Sequence, residues 1–341
     1  MTATIRAHAP GRVNLIGEHT DYVGGLALPM AIDLGTTIVG RAIDDRIRLR
    51  SAGFPGQVDL PLVIDDPAGV TPAWGRYVAG VVAVLAPRRG IDGEISTTIP
   101  VGTGLSSSAA LELAVALALE AADPTRSTLG PTDLARAGQR AEQLASGVPC
   151  GLMDQLTSAA GVEGHALLID FRTGAFEPVP VPADVDIVVI HSGQARELAT
   201  SAYAERRAQL EAAERVIGPL RDATVADLTA LADPVVRARA RHVVTENARV
   251  IEVADGFRSA DLGRAGQAMT AGHASFRDDF SASTVVVDAL VDRLVGTPGV
   301  YGARLTGGGF GGCVVALAEP GALTEGWTVH ASAGAQVEID D

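Results

Sequence analysis

Three consecutive hydroxyls, Ser106, Ser107 and Ser108, close a glycine-punctuated turn, Pro100-Val101-Gly102-Thr103-Gly104-Leu105, and lead straight into a run of strong helix formers over 109–122. The first N–H groups of a helix lack internal partners, and the helix dipole adds partial positive charge there. Glycines let the backbone approach closely, so the combination suits a polyanion such as the phosphates of a nucleotide. An ordinary serine-capped helix after a turn gives the same spacing. The chain contains no lysine; its 27 basic residues, histidines apart, are all arginine. The phosphate loop ending in Gly-Lys and the strand lysine of protein kinases are therefore excluded in their usual form. A nucleoside triphosphate bound here is held without a lysine clamp.

Two further clusters hold polar groups in apolar or glycine-rich surroundings. Residues 10–22 crowd Glu18, His19 and Asp21 beside two glycines, just after an apolar stretch. That density suits a polyhydroxylated ligand, because carboxylates accept hydrogen bonds from hydroxyls. A solvated loop is the plainer alternative. In residues 147–155, Asp154 stands alone among apolar and glycine residues. A partly buried carboxylate needs a partner, and Arg12 is a candidate. A helix-capping aspartate is the other reading.

The elements that must position these groups alternate along the chain. The patterning predicts strands over 37–41 and 47–50, paired antiparallel with Asp44 and Asp45 near the turn. It predicts helices over 74–85, 109–122 and 131–144, the last capped by Thr132 and Asp133. A strand over 93–99 leads into the phosphate-type turn. Apolar strands over 166–170 and 185–191 flank a proline-rich loop. Long, charge-laced helices follow over 198–217 and 233–254. Strands over 301–305 and 313–318 enclose the glycine-rich loop 306–312. The whole is an α+β pattern, with the clearest division after Gly161-Val162-Glu163-Gly164.

At 341 residues and 47% hydrophobic content the chain suits one large domain or two medium ones with real cores. A net charge of −14 opposes nonspecific binding to nucleic acid or anionic membrane. No apolar run reaches membrane-span length, and residues 1–12 have no signal-peptide core. Cys150 and Cys313 form no metal-ligand spacing and read as thiols of a cytoplasmic protein. The seven histidines lack zinc-site spacing.

Four ordered segments, GRVNLIGEHTDY (11–22), PVGTGLSSSAALE (100–112), GVPCGLMDQ (147–155) and LTGGGFGGC (305–313), together resemble the GHMP superfamily of small-molecule kinases and, within it, the galactokinase family. The first is the most diagnostic, because other branches lack it. Weaker matches lie at 202–207, 239–244 and 276–280. The resemblance implies a two-lobed α+β fold: an N-terminal lobe like domain 2 of ribosomal protein S5 over 1–164, and a ferredoxin-like lobe over 165–341 that carries loop 306–312. It implies ATP-dependent phosphorylation of galactose at the anomeric hydroxyl, with Mg²⁺.

The resemblance also implies roles at matching positions. Glu18, His19 and Asp21 hold sugar hydroxyls, helped by Gly151 and Tyr203. Gly102, Thr103, Gly104, Leu105, Ser106, Ser107 and Ser108 cradle the ATP phosphates. Trp74 flanks the adenine or else packs in the core. Ser108 and Glu142 ligate Mg²⁺, a hard cation that prefers oxygen donors and keeps several waters. Asp154 is the general base, and Arg12 beside it stabilises charge on the transferring phosphoryl group. The alternatives are a kinase for a related sugar, such as N-acetylgalactosamine or another hexose, and a sugar- and ATP-binding regulator without turnover. A non-sugar alcohol is disfavoured by Glu18-His19-Thr20-Asp21. Partners beyond the two small molecules are not expected, and the expected state is a monomer. The chain departs from the family pattern at Val23, at 191–196 and at 284–288, which leaves sugar preference open.

Overall fold

The first strand, β1 (Thr4–Asn14), changes character along its length, and this change positions the site. In its first half Ile5, Ala7 and Ala9 are buried while Arg6 is exposed, as a half-buried strand requires. At Gly11 the pairing with the neighbouring strand shifts register, and from Arg12 onward both faces are buried. A Cβ at Gly11 would lie 2.6 Å from the Leu105 carbonyl oxygen. Glycine therefore lets the serine-rich turn close onto β1, where the Arg12 N–H donates to that carbonyl at 3.1 Å. Arg12 and Asn14, two residues apart, then share one face of the strand.

A computed structural model describes residues 3–194 and 199–340. Leu198, expected to open a helix, and Ala195 and Arg196 of the departing segment lie outside the described residues. The remaining strands are β2 (Leu26–Ala27), β3 (Pro29–Ile43), β4 (Arg46–Ser51), β5 (Gln57–Pro61), β6 (Gly90–Thr97), β7 (His165–Asp170), β8 (Ala175–Pro180), β9 (Asp186–His191), β10 (Val300–Thr306), β11 (Cys313–Ala318), β12 (Trp327–Val329) and β13 (Gln336–Asp340). The helices are α1 (Gly75–Leu85), α2 (Ser107–Ala122), α3 (Pro131–Ser146), α4 (Met153–Ala160), α5 (Ala199–Ile217), α6 (Pro234–Arg258), α7 (Leu262–Asp278) and α8 (Val285–Val295). No described helix is long and apolar enough to cross a membrane.

The α+β class is as expected, and the topology adds what patterning could not give. A six-stranded sheet runs β13-β1-β3-β6-β4-β5, a four-stranded sheet β10-β11-β9-β12, and a small one β2-β7-β8. The patterning pairs β3 with β4. Instead β6 lies between them, antiparallel to β3 and parallel to β4. It inserts the buried Ile91 and Ile95, which gives the core more apolar surface than an isolated hairpin could. The last strand, expected with the second lobe, returns to pair with β1. Helix α3 is capped by Gly130 with Pro131 at its first position, and Thr132 and Asp133 lie inside the first turn.

Helix α2 is buried on nearly every side and packs on β1 and β3. Being apolar all round, it is a central helix rather than a surface one. Its N-terminus emerges at the mouth of the site. In the second lobe β11 is buried on both faces: Cys313, Val315 and Leu317 join the core that continues from the first lobe, and Val314, Ala316 and Ala318 join a separate core.

Candidate active site

Arg12 is the hub. Its guanidinium is almost fully buried and grips Asp154 with two parallel bonds, Nε to Oδ1 at 2.8 Å and Nη2 to Oδ2 at 2.7 Å. Its Nη1 donates to the Gly104 carbonyl at 2.8 Å, so one side chain ties the catalytic candidate to the serine-rich turn. Asp154 sits in the first turn of α4 and caps nothing; the residue before the helix is Leu152. The helix dipole and the bidentate guanidinium both favour a carboxylate there. Asp154 keeps 32% of its side-chain surface open, toward a cavity of about 320 Å³.

The Ser106 hydroxyl donates to Asp154 Oδ2 at 2.5 Å. Ser106 is held at φ 60°, ψ 46°, a left-handed conformation unfavourable for a residue with a Cβ. The hydroxyl of Thr103 bonds the Pro100 carbonyl, and the Leu105 side chain is buried. The Thr103 and Ser106 hydroxyl protons are thus already engaged. The N–H of Ala110 is the first taken by a helical acceptor, Ser106 O, which leaves those of Ser107, Ser108 and Ala109 as first-turn donors.

At the other end of the cavity lie Glu18, His19, Asp21, Gly151 and Tyr203. Asp21 is wedged against the backbone of 151–153. A Cβ at Gly151 would fall 1.5 Å from Asp21 Oδ2, so only glycine fits. Burial, then repulsion from Asp154, pushes the Asp21 carboxyl up to about 6. The His19 ring shares a hydrogen bond with the Tyr22 hydroxyl at Nδ1 and with the Gly308 carbonyl at Nε2. A carbonyl can only accept, so Nε2 carries a proton. The ring also lies against Tyr203 and Phe280.

Glu18 is not a free sugar ligand. One oxygen accepts from the Gly307 N–H at 3.2 Å and the other is ion-paired with Arg304. Burial pushes Glu18 up to about 7, against the pull of Arg304. It lines the cavity nonetheless, and a carboxylate has lone pairs to spare. Arg304 is fully buried on β10 and bonds a second carboxylate, Glu246 of α6, at 2.8 Å. Burial opposes charge on Glu246, but Arg304, His242 and Arg249 hold its carboxyl well below the usual range. From the same helix His242 contacts the Glu18 carbonyl, Glu246 accepts from Gly17 N–H, and Asn247 accepts from Leu26 N–H. Sequence reasoning missed Arg304, Glu246 and Asn247. The available signal was weak: His242, Glu246 and Asn247 share one face of α6, but the helix is charge-laced throughout and nothing local marks that face as buried.

A second cavity of about 230 Å³ opens on the far side of the α2 N-terminus, lined by Phe54, Trp74, Tyr77, Val101, Ser107 and Ser108 among others. Trp74 is half-buried and its Nε1 donates to the Pro55 carbonyl at 3.3 Å, so it walls this cavity while packing on the core. Ser108 Oγ donates to Glu142 Oε1 at 3.1 Å. Ser108 lines the second cavity and Glu142 the first, so the pair stands at the junction. Burial, then Asp154, raises Glu142; Gln155 donates to it and to the buried Glu112. Two hard oxygens in a crowd of carboxylates suit a divalent cation, whose charge would relieve the repulsion. Phosphate and water oxygens would complete its shell. The departing residues Val23, His191 and Gln194 do not line the first cavity; Val23 packs into the second core.

Comparison with known proteins matches this arrangement to a family. A galactokinase galactose-binding signature matches residues 2–42, the GHMP kinase N-terminal domain residues 76–162, and the GHMP kinase C-terminal domain residues 253–327. A galactokinase of Chloroflexus aggregans is 44% identical over 330 residues, 92% of this chain and 83% of the relative. The chain belongs to the galactokinase family of GHMP kinases. A galactokinase of Chloroflexus aurantiacus is also 44% identical, over 91% of this chain and 83% of its own length. Among solved structures, Lactococcus lactis galactokinase complexed with galactose aligns with a TM-score of 0.91 at 31% identity, covering 98% of this chain and 95% of that one. Methanococcus jannaschii mevalonate kinase shares the fold at a TM-score of 0.65 and 21% identity, over 92% of this chain and 90% of its own.

Two outcomes follow for a family member built this way. Ser106→Ala and Ser106→Gly both lose the bond to Asp154, and both lower kcat about tenfold with little change in either KM. The glycine variant is the more stable of the two, because it alone relieves the left-handed strain, by roughly 1 kcal/mol. Equal melting temperatures, or wild-type kcat, contradict this reading. The second outcome concerns pH. Glu18 and Asp21 have raised pKa values, so both gain protons as pH falls from about 8 to 5, and a protonated carboxyl is a poorer acceptor. The galactose KM therefore rises several-fold over that fall, while Asp21→Asn starts high and changes less. A flat wild-type profile refutes it.

Proposed function

We propose that the chain transfers the γ-phosphoryl group of ATP to the anomeric hydroxyl of galactose. The observation that carries this reading is the bidentate Arg12–Asp154 pair, standing between the Asp21–Gly151 end of one cavity and the α2 N-terminus. The sugar is held by Asp21, Glu18, His19 and Tyr203, with Gly151 leaving room for Asp21. Its reacting hydroxyl lies at Asp154, which accepts the proton as the oxygen attacks phosphorus in line. Arg12 keeps Asp154 ionised and adds positive charge beside the transferring group.

The N–H groups of Ser107, Ser108 and Ala109 receive the phosphates, and Trp74 and Tyr77 wall the adenine. Ser108 and Glu142 are the proposed Mg²⁺ ligands; when bound, the cation neutralises phosphate charge. In a chain without lysine, the helix N-terminus, Arg12 and that cation share the task of stabilising the polyphosphate. We place the protein in the cytoplasm as a monomer, with Cys150 and Cys313 both as thiols. We place the division between the lobes near 164/165, with β13 returning to β1 and with β7 and β8 joining β2 across it.

A coupled ADP-release assay with galactose, glucose and N-acetylgalactosamine, with the product's phosphorylated carbon assigned by NMR, tests the reading. Galactose should be the preferred acceptor, with phosphate on its anomeric carbon. Asp154→Asn keeps the shape and cannot take the proton, so kcat should fall about 10²–10⁴-fold with galactose still bound. Near-normal turnover in that variant removes Asp154 as the base.

A further inference from the structure

Asn14 is the last residue of β1, two positions beyond Arg12 on the same face of the strand. Its backbone is fixed twice by one side chain: its N–H donates to Thr306 Oγ1 at 3.2 Å, and its carbonyl accepts from that hydroxyl at 2.9 Å. Its side chain is 1% exposed and lines the sugar-side cavity. Yet among the described residues neither Nδ2 nor Oδ1 has a hydrogen-bond partner. The amide N–H faces the Glu18 carboxylate in a loose contact that favours its ionised form, which leaves Oδ1 as the end with no partner. Buried polar atoms are rarely left unpaired, and a donor on a ligand is the natural partner for Oδ1.

The chemistry of that ligand follows from Oδ1. A phosphate oxygen only accepts, so it would leave Oδ1 facing negative charge. A hydroxyl can donate to Oδ1 and still accept from Nδ2. We infer that Asn14 binds a hydroxyl of the sugar, as a further specificity-determining residue beside Asp21 and His19. This rests on the reading that the cavity takes galactose.

Asn14→Leu tests it, because leucine has similar volume and no polar side-chain atoms. The free protein should melt near the wild-type temperature, since the substitution removes an unpaired buried acceptor together with only a loose contact to Glu18. The galactose KM should rise about tenfold, and the melting-temperature gain on adding galactose should shrink, while the ATP KM stays near wild type. A panel of monodeoxygalactoses then identifies the contact. The sugar lacking the hydroxyl that Asn14 holds should be a poor substrate for wild type and no worse for the variant. An unchanged galactose KM, or the same fold-loss for every deoxy sugar, overturns the inference. Asn14→Ala carries the same comparison if the leucine variant fails to fold. Wild-type galactose turnover is the control: its absence overturns the proposed function, whereas its presence with unchanged variant KM values overturns only the role of Asn14.

Discussion

The buried bond between Arg12 and Asp154 is the contact on which the site depends. It joins β1 to α4, and through Gly104 and Leu105 it draws the serine-rich turn onto the same strand. Removing two charges from water costs several kcal/mol each, so such a pair is a weak source of stability. What it provides is position and charge state. Because Asp154 is also held by Ser106, its carboxylate has little rotational freedom, and the strained backbone at Ser106 is the cost of aiming that hydroxyl.

A second ionic cluster sets the relation between the lobes. Arg304 of β10 lies between Glu18 of the first lobe and Glu246 of α6, with Arg249 on the far side of Glu246. Two guanidinium and two carboxylate groups balance, which is how such buried charges are tolerated. The glycine-rich loop then reaches across: Gly307 donates to Glu18 and Gly308 meets His19. The loop thus meets the proposed sugar-binding residues Glu18 and His19. The first lobe supplies most of both cavities, and the second lobe adds Tyr203, Gly307 and Gly308 to the one that holds Asp21 and Asp154.

Much of this is legible in the sequence. Glu18, His19, Asp21, Gly151, Asp154 and Tyr203 stand out along the chain and line one cavity, and Ser108 and Glu142 meet although 34 residues separate them. Local signals carry these, since each sits in a dense polar cluster or beside glycine, or falls in a segment that resembles the family. What is not legible depends on long-range pairing. Nothing local tells that β6 intervenes between β3 and β4, or that β13 closes on β1. Arg304 sits in an ordinary apolar strand and becomes functional only through residues 286 and 58 positions away. Ser106 reads as one of three equivalent hydroxyls; only its left-handed backbone turns it toward Asp154.

The central claim is that Arg12 and Asp154 act as one unit in phosphoryl transfer. The direct measurement is a double-mutant cycle on kcat with Arg12→Met, Asp154→Asn and the pair together, each variant first shown to be folded. Groups that act as a unit are strongly non-additive. The double variant should be about as slow as the slower single variant. If the two losses instead multiply, Arg12 and Asp154 contribute independently, and the claim that they form one catalytic unit is wrong.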